Sequence, residues 1–174
     1  MLSSLFYLVL LGKFEMNNDL SELFDEAIKI ELNAAKLYEL FQEVFPDDAL
    51  FWGQLVVEEK NHAALLRDGR DRFQPIGKFP IEILPASITS LVWANRGIVT
   101  LIDKYRERQP SREEAFNTAL SLEQSAGEAH FQQFMEKDSA SKIEEIFKDL
   151  NRDDKDHALR IRSYMENHGI KVEK

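Results

Sequence analysis

Two pairs of an acid and an imidazole, each spaced one helical turn apart, interrupt what are otherwise apolar helical faces. They are Glu59-Lys60-Asn61-His62 and Asp154-Lys155-Asp156-His157. Their surroundings repeat as well: Glu58-Glu59-Lys60-Asn61-His62-Ala63 and Asp153-Asp154-Lys155-Asp156-His157-Ala158 are variants of one phrase. On a helix, residues i and i+3 lie on the same face. A carboxylate and an imidazole so placed can reach one metal ion. Burying such groups without partners is costly, so the fold must bring them together. The expectation is an all-α protein, a four-helix bundle that holds a pair of metal ions.

The rest of the sequence divides into helices at clear signals. Asp19-Leu20-Ser21-Glu22 reads as a capping box that opens a first helix. Its stripe of Leu20, Phe24, Ala27, Ile28, Glu31, Ala34, Ala35, Tyr38, Phe41 and Phe45 recurs at helical period, and Pro46 closes it. Asp47 or Asp48 is the expected cap of a second helix, with Trp52, Leu55, Val56, Glu59, His62, Ala63 and Leu66 on its inner face. Gly69, Pro75, Gly77, Pro80 and Pro85 then exclude a long helix and predict a connection over the surface. An extra helix is expected over 87–107, from Ile88, Leu91, Val92, Ile98, Val99, Ile102 and Tyr105, with Gly97 able to bend or split it.

Ser111 with Glu114 and Ser141 with Glu144 mark two further helix starts. The third bundle helix is expected to reach about Met135, with Phe116, Ala119, Leu120, Glu123, Ala126, Gly127, His130 and Phe134 inward. The fourth carries Ile143, Ile146, Phe147, Leu150, Asp154, His157, Ala158, Ile161, Tyr164 and Met165, and Gly169-Ile170 reads as its left-handed stop.

Residues 1–15 are expected to be an N-terminal extension outside the fold, with residues 16–174 forming the bundle domain. The apolar run Leu2–Leu11 is too short to span a bilayer as a helix. It also lacks the basic start and cleavage site of a secretory signal, so a cytoplasmic protein is expected. A membrane-surface or partner-docking segment is the alternative. A net charge of −9 argues against nucleic acid as a partner and favours cations. With no cysteine, disulfides, thiolate nucleophiles and iron–sulfur centres are excluded.

The two halves echo each other. Glu31 and Glu123 each stand alone on an apolar face, followed by small residues. Glu31 precedes Glu59 by 28 residues, and Glu123 precedes Asp154 by 31. Two hairpins about a pseudo-twofold axis would bring Glu31, Glu59, His62, Glu123, Asp154 and His157 to one level. The inner stripes carry no Lys or Arg to match them. Four carboxylates gathered in a low-dielectric interior must take up protons or bind cations. For each residue alone the structural reading stays open: His62 as a hydrogen-bonded core histidine, Glu31 as half of a buried salt bridge. Oxygen and imidazole donors without thiolate suit iron or manganese.

One Glu from each of two helices, plus a Glu-x-x-His pair from each of the others, is the arrangement of ferritin-like di-iron and di-manganese bundles. Ile30-Glu31-Leu32-Asn33-Ala34-Ala35-Lys36-Leu37-Tyr38, with the Glu59/His62 helix, resembles the rubrerythrin branch of that superfamily. The resemblance covers residues 19–168 and is closest over the first two helices. It implies metal ligands at Glu31, Glu59, His62, Glu123, Asp154 and His157, holding two iron ions, or manganese in their place. Tyr38 matches a tyrosine that the family places beside the metals as a donor, though a core aromatic is the alternative. His130 is either a further ligand or proton donor, or a structural histidine. Asp154 is shorter than the family's Glu. Ala126 stands where rubrerythrins carry another carboxylate, and their rubredoxin domain is absent.

The resemblance implies an oxidoreductase that reduces peroxide or dioxygen with electrons from a separate donor protein, in a homodimer. Three rival expectations remain: a ferroxidase or iron-handling protein, a hydroxylase, and a metal-free helical interaction module with a vestigial site.

Overall fold

The computed structural model describes residues 3–81, 84, 87–124, 136–139, 141–150 and 157–173. Every regular element among them is helical, so the protein is all-α. The longer helices are α1 (Ser3–Val44), α2 (Ala49–Asp68), α3 (Ile88–Glu107), α4 (Arg112–Glu123), α5 (Lys142–Leu150) and α6 (His157–Asn167). No helix among the described residues is long and apolar enough to cross a membrane.

Helix α1 starts well before the expected cap at Asp19. An N-cap requires non-helical backbone, whereas the leucine-rich stretch upstream has good helix formers that extend the ladder through Asp19. The other end falls where expected. α1 stops at Val44, and Pro46–Asp48 makes a short 3-10 turn, since proline cannot donate to the helix ladder.

The turn sends α2 back antiparallel along α1. Gln42 Nε2 donates to the Ala49 carbonyl at the closed end (3.2 Å), and Arg70 pairs with Asp25 (2.7 Å) at the other. The buried residues of α2 are Trp52, Leu55, Val56, Glu59, His62, Ala63 and Leu66, the face read from its periodicity. Helix α3 packs against α1, and α4 against α6. Ser87, Ser111 and Ser141 cap their helices, accepting from the backbone N–H three residues on. α6 ends at Gly169 (φ 65°), with Ile170 N–H returning 2.8 Å to the Met165 carbonyl. This is the predicted left-handed stop with its hydrophobic contact.

Three further features depart from expectation. α3 runs unsplit through Gly97, but Val99 faces solvent and Asn95 is buried among the apolar residues. Asn95 donates to the Glu26 carbonyl and accepts from Asn33, each at 2.9 Å, tying α3 to α1. The stretch from Asp68 to Pro85 does more than cross the surface. It carries α2 on through a π turn and inserts Phe79 and Leu84 into the core. Phe79 lies on Phe24 (4.7 Å between ring centroids), so close to Gly69 that a Cβ there would meet its ring at 2.3 Å.

Asp48 is the third departure. It stands at the N-cap position of α2 without a capping bond. Its buried carboxylate accepts instead from Arg112 (two bonds of 2.7 Å) and from the Tyr164 hydroxyl (2.9 Å). A cap would satisfy one backbone donor, whereas this triad joins the α1–α2 turn to both α4 and α6.

The described core falls into two apolar clusters. One gathers Leu37, Tyr38, Phe41, Trp52, Leu55, Phe116, Ile161 and Met165. The other gathers Phe24, Ala27, Ile28, Ala63, Leu66, Phe79, Leu84 and Leu91. Along α1 and α2 they are separated by the level of Glu31, Glu59 and His62.

Burial alone would raise the Asp48 pKa, but the Arg112 and Tyr164 bonds outweigh it and hold it below the ordinary value. A depressed folded-state pKa stabilises the protein above the carboxylate range, and the contribution is lost as pH falls through that pKa. Asp48→Asn is therefore expected to cost about 1–3 kcal/mol at neutral pH. The gap from wild type should narrow as the pH is taken from neutral to below the ordinary aspartate range, where the wild-type carboxylate begins to lose its charge. Urea denaturation at the two pH values measures it.

Candidate metal centre

Four helices deliver polar side chains to the layer between the clusters. α1 brings Glu31, and Tyr38 two turns further on. α2 brings Glu59 and His62 on one face because they are one turn apart. α4 brings Glu123 in its last described turn, and α6 brings His157. Glu59, Glu123 and His157 are each no more than 3% exposed.

The contacts interlock. His62 Nδ1 lies 3.6 Å from Glu31 and 3.5 Å from Glu59. His157 Nδ1 lies 3.1 Å from Glu59 and 3.2 Å from Glu123. The two imidazole rings face each other across the layer, 5.5 Å apart at their centroids and 21° from parallel. Thus one trio is Glu31, Glu59 and His62, and the other is Glu59, Glu123 and His157. In each, one ligand atom per residue lies within 4.8 Å of the others, so either trio could hold a metal ion. Glu59 belongs to both.

Tyr38 donates its hydroxyl to Glu123. The ring is itself fully buried within the larger apolar cluster, so this geometry fits both readings of the tyrosine. Asp154 and His130, the remaining candidates, lie outside the described residues.

The electrostatics are those of a site short of positive charge. Burial, reinforced by the charge of Glu59, pushes Glu31 up to about 7 against the opposing pull of His62. Glu59 goes the other way: burial would raise it, but bonds from His157 and His62 hold it well below the usual range. Burial would lower His157, yet Glu123, Glu58 and Glu59 surround it and push it up to about 12.

One atom tests whether metal fits here. Glu31 Oε2 is buried and makes no hydrogen bond, although His62 Nδ1 stands 3.6 Å from it. A buried carboxylate oxygen so placed calls for an explanation, and a cation shared with His62 would provide one. The donor set agrees, since carboxylate and imidazole without thiolate suits iron, manganese or zinc.

The sequence reading assigned no role to Glu58 and Arg160. Glu58 sits 3.4 Å from His157 Nε2, on the side of the ring facing away from the layer. Arg160 grips Glu58 with both guanidinium nitrogens, Nη1 at 2.7 Å from Oε1 and Nη2 on Oε2. Arg160 and the adjacent imidazole hold the Glu58 pKa at about 2 in spite of burial. A carboxylate on the far nitrogen of a ligating histidine orients the ring and raises its basicity. The available signal was the doubled acid of the repeated phrase, Glu58-Glu59 and Asp153-Asp154. Comparison with protein-family models, curated proteins and solved structures gives no match.

Because the folded-state pKa of Glu31 is raised, ionising it opposes folding. That penalty is absent below the ordinary glutamate range and is complete above about 7. In metal-free protein, Glu31→Gln is expected to raise the melting temperature at pH ~8, with the gain vanishing towards pH ~4. A structural Glu31–His62 ion pair predicts the opposite sign in the same melts.

Proposed function

We propose that this chain is a ferritin-like four-helix bundle of the rubrerythrin type that binds two iron ions. Glu31, Glu59 and His62 would hold one, and Glu59, Glu123 and His157 the other, with Asp154 completing the set by its place in the sequence. Manganese fits the same donors. The activity proposed is reduction of peroxide or dioxygen, with electrons from a separate donor. The observation that carries this reading is Glu59, a single buried carboxylate shared by two trios. A site for two ions would use such a shared residue, whereas a structural salt bridge does not require one.

Iron held by these residues would supply one electron per ion. The protein's own residues account for the rest. Tyr38 orients Glu123 through its hydroxyl. Glu58, clamped by Arg160, stands 3.4 Å from His157 Nε2, close enough to orient the ring once it donates there. The flanking clusters keep bulk water from the layer, which strengthens every charge interaction within it.

A second reading treats iron as substrate, in a ferroxidase, and the net charge of −9 favours it by drawing cations towards the protein. Both use the same ligands, so activity must separate them. Peroxide loss under a reductant supports the first, and faster loss of ferrous iron under air the second.

Protein purified without added metal is expected to carry close to two iron ions per chain by elemental analysis. Glu59→Ala should abolish binding at both positions, and Glu58→Gln should weaken retention about 10–100-fold. Wild-type protein with no metal would overturn the reading and leave a helical interaction module.

A further inference from the structure

The larger apolar cluster contains more than packing. Starting from the metal centre, Tyr38 donates to Glu123 and lies against Trp52, with ring centroids 5.8 Å apart and planes 28° from parallel. Trp52 packs on Phe116 at 4.4 Å, and Phe116 stacks on Tyr164 at 5.3 Å with planes 6° apart. Phe51 makes a parallel bridge, 5.4 Å from Trp52 and 4.1 Å from Tyr164. Tyr38, Trp52 and Phe116 are fully buried, whereas Tyr164 is only partly covered and stacks on exposed His168. An unbroken file of rings therefore leads from the buried carboxylates towards the surface.

We propose that Tyr38, Trp52 and Tyr164 form a one-electron relay between the metal centre and a reductant at the protein surface. The relay rests on the iron-binding reading above and specifies where the donor's electrons enter. Electron tunnelling falls steeply with distance, so oxidisable rings in near contact divide one long transfer into short ones. The phenylalanines are too hard to oxidise to hold a charge and serve as the medium between Trp52 and Tyr164.

The proton partners fit this assignment. An oxidised phenol is a very strong acid and needs an acceptor for its proton. Both tyrosines already donate to carboxylates, Tyr38 to Glu123 and Tyr164 to Asp48. An oxidised indole can keep its N–H, and Trp52 Nε1 has no hydrogen-bond partner although it is buried. Packing alone gives no reason to leave that donor bare. Tyr105 also touches the file, through Phe41 at 5.7 Å, but it is only 2% exposed, whereas Tyr164 is partly open, so it is not an exit to the surface.

The steps balance. Tyr38 gives one electron to the oxidised centre while its phenolic proton shifts onto Glu123. Trp52 returns the electron, the proton moves back to Tyr38, and Trp52 remains as a radical cation. Tyr164 reduces Trp52 and passes its own proton to Asp48, which can accept it even while paired with Arg112. A one-electron reductant at the surface then reduces the Tyr164 radical, which recovers its proton from Asp48. The net result is one electron delivered inward and no proton consumed.

The test is freeze-quench electron paramagnetic resonance of iron-loaded, reduced protein mixed with excess peroxide, so that oxidant remains after each iron has given its electron, with and without ring-deuterated tyrosine. A tyrosyl signal that deuteration narrows is expected in wild type. Tyr164→Phe, which removes one hydroxyl and keeps the stack, should move the radical inward to Trp52 and change its spectrum. Trp52→Phe should abolish the Tyr164 signal with iron content unchanged, and Tyr105→Phe should leave the spectrum as it is. If Trp52→Phe does not fold, the Tyr164→Phe spectrum decides. An unchanged signal in Tyr164→Phe, or iron bound with no protein radical, overturns the relay alone. Failure to bind iron overturns the relay together with the reading of the centre.

Discussion

A layer of carboxylates and imidazoles lies between two apolar clusters, and the rest of the structure accommodates it. Such groups in a dry interior stabilise nothing by themselves, because desolvation costs more than their mutual contacts return. The protein meets that cost with apolar burial on either side, the Phe24–Phe79 cluster at one end and the Tyr38–Trp52–Phe116 cluster at the other. Proteins keep expensive polar groups in their cores mainly at functional sites, where stability is exchanged for chemistry. The raised Glu31 and its Oε2, buried without a hydrogen bond, are what such an exchange leaves in an apolar core.

Much of this was legible in the sequence, and what was legible is local. The inner face of α2 follows from periodicity alone, as do the serine caps and the glycine stop after α6, whose signals lie within a few residues of their effects. The convergence of Glu31, Glu59, His62, Glu123 and His157 was also readable, because the repeated phrase and matched spacings imply one level in a bundle. What was hidden depends on distant partners. Asp48 looks like a cap until Arg112 and Tyr164 arrive from 64 and 116 residues away. Asn95 looks like a solvent position until α1 presents Glu26 and Asn33 to it. Asp19 has the residues of a helix start but not its backbone, because upstream turns pass through it.

The two tyrosine–carboxylate pairs connect the interior to the periphery. Tyr38 couples the centre to the aromatic cluster, and Tyr164 couples that cluster to the Asp48–Arg112 pair at the base of the α1–α2 hairpin. The same contacts that fix the angle between the hairpin and the α4–α6 pair also set the spacing of the rings. Structural and chemical demands therefore fall on the same side chains, and substitutions there need readouts that tell folding from function.

Glu59 has a consequence of its own. A carboxylate common to both trios cannot satisfy one neighbour without altering the charge offered to the other. The two halves of the chain repeat each other, yet at this point they are not separate copies. A cation settling against His62 would be sensed at His157 through a single side chain, so two such positions would fill and empty in reference to each other.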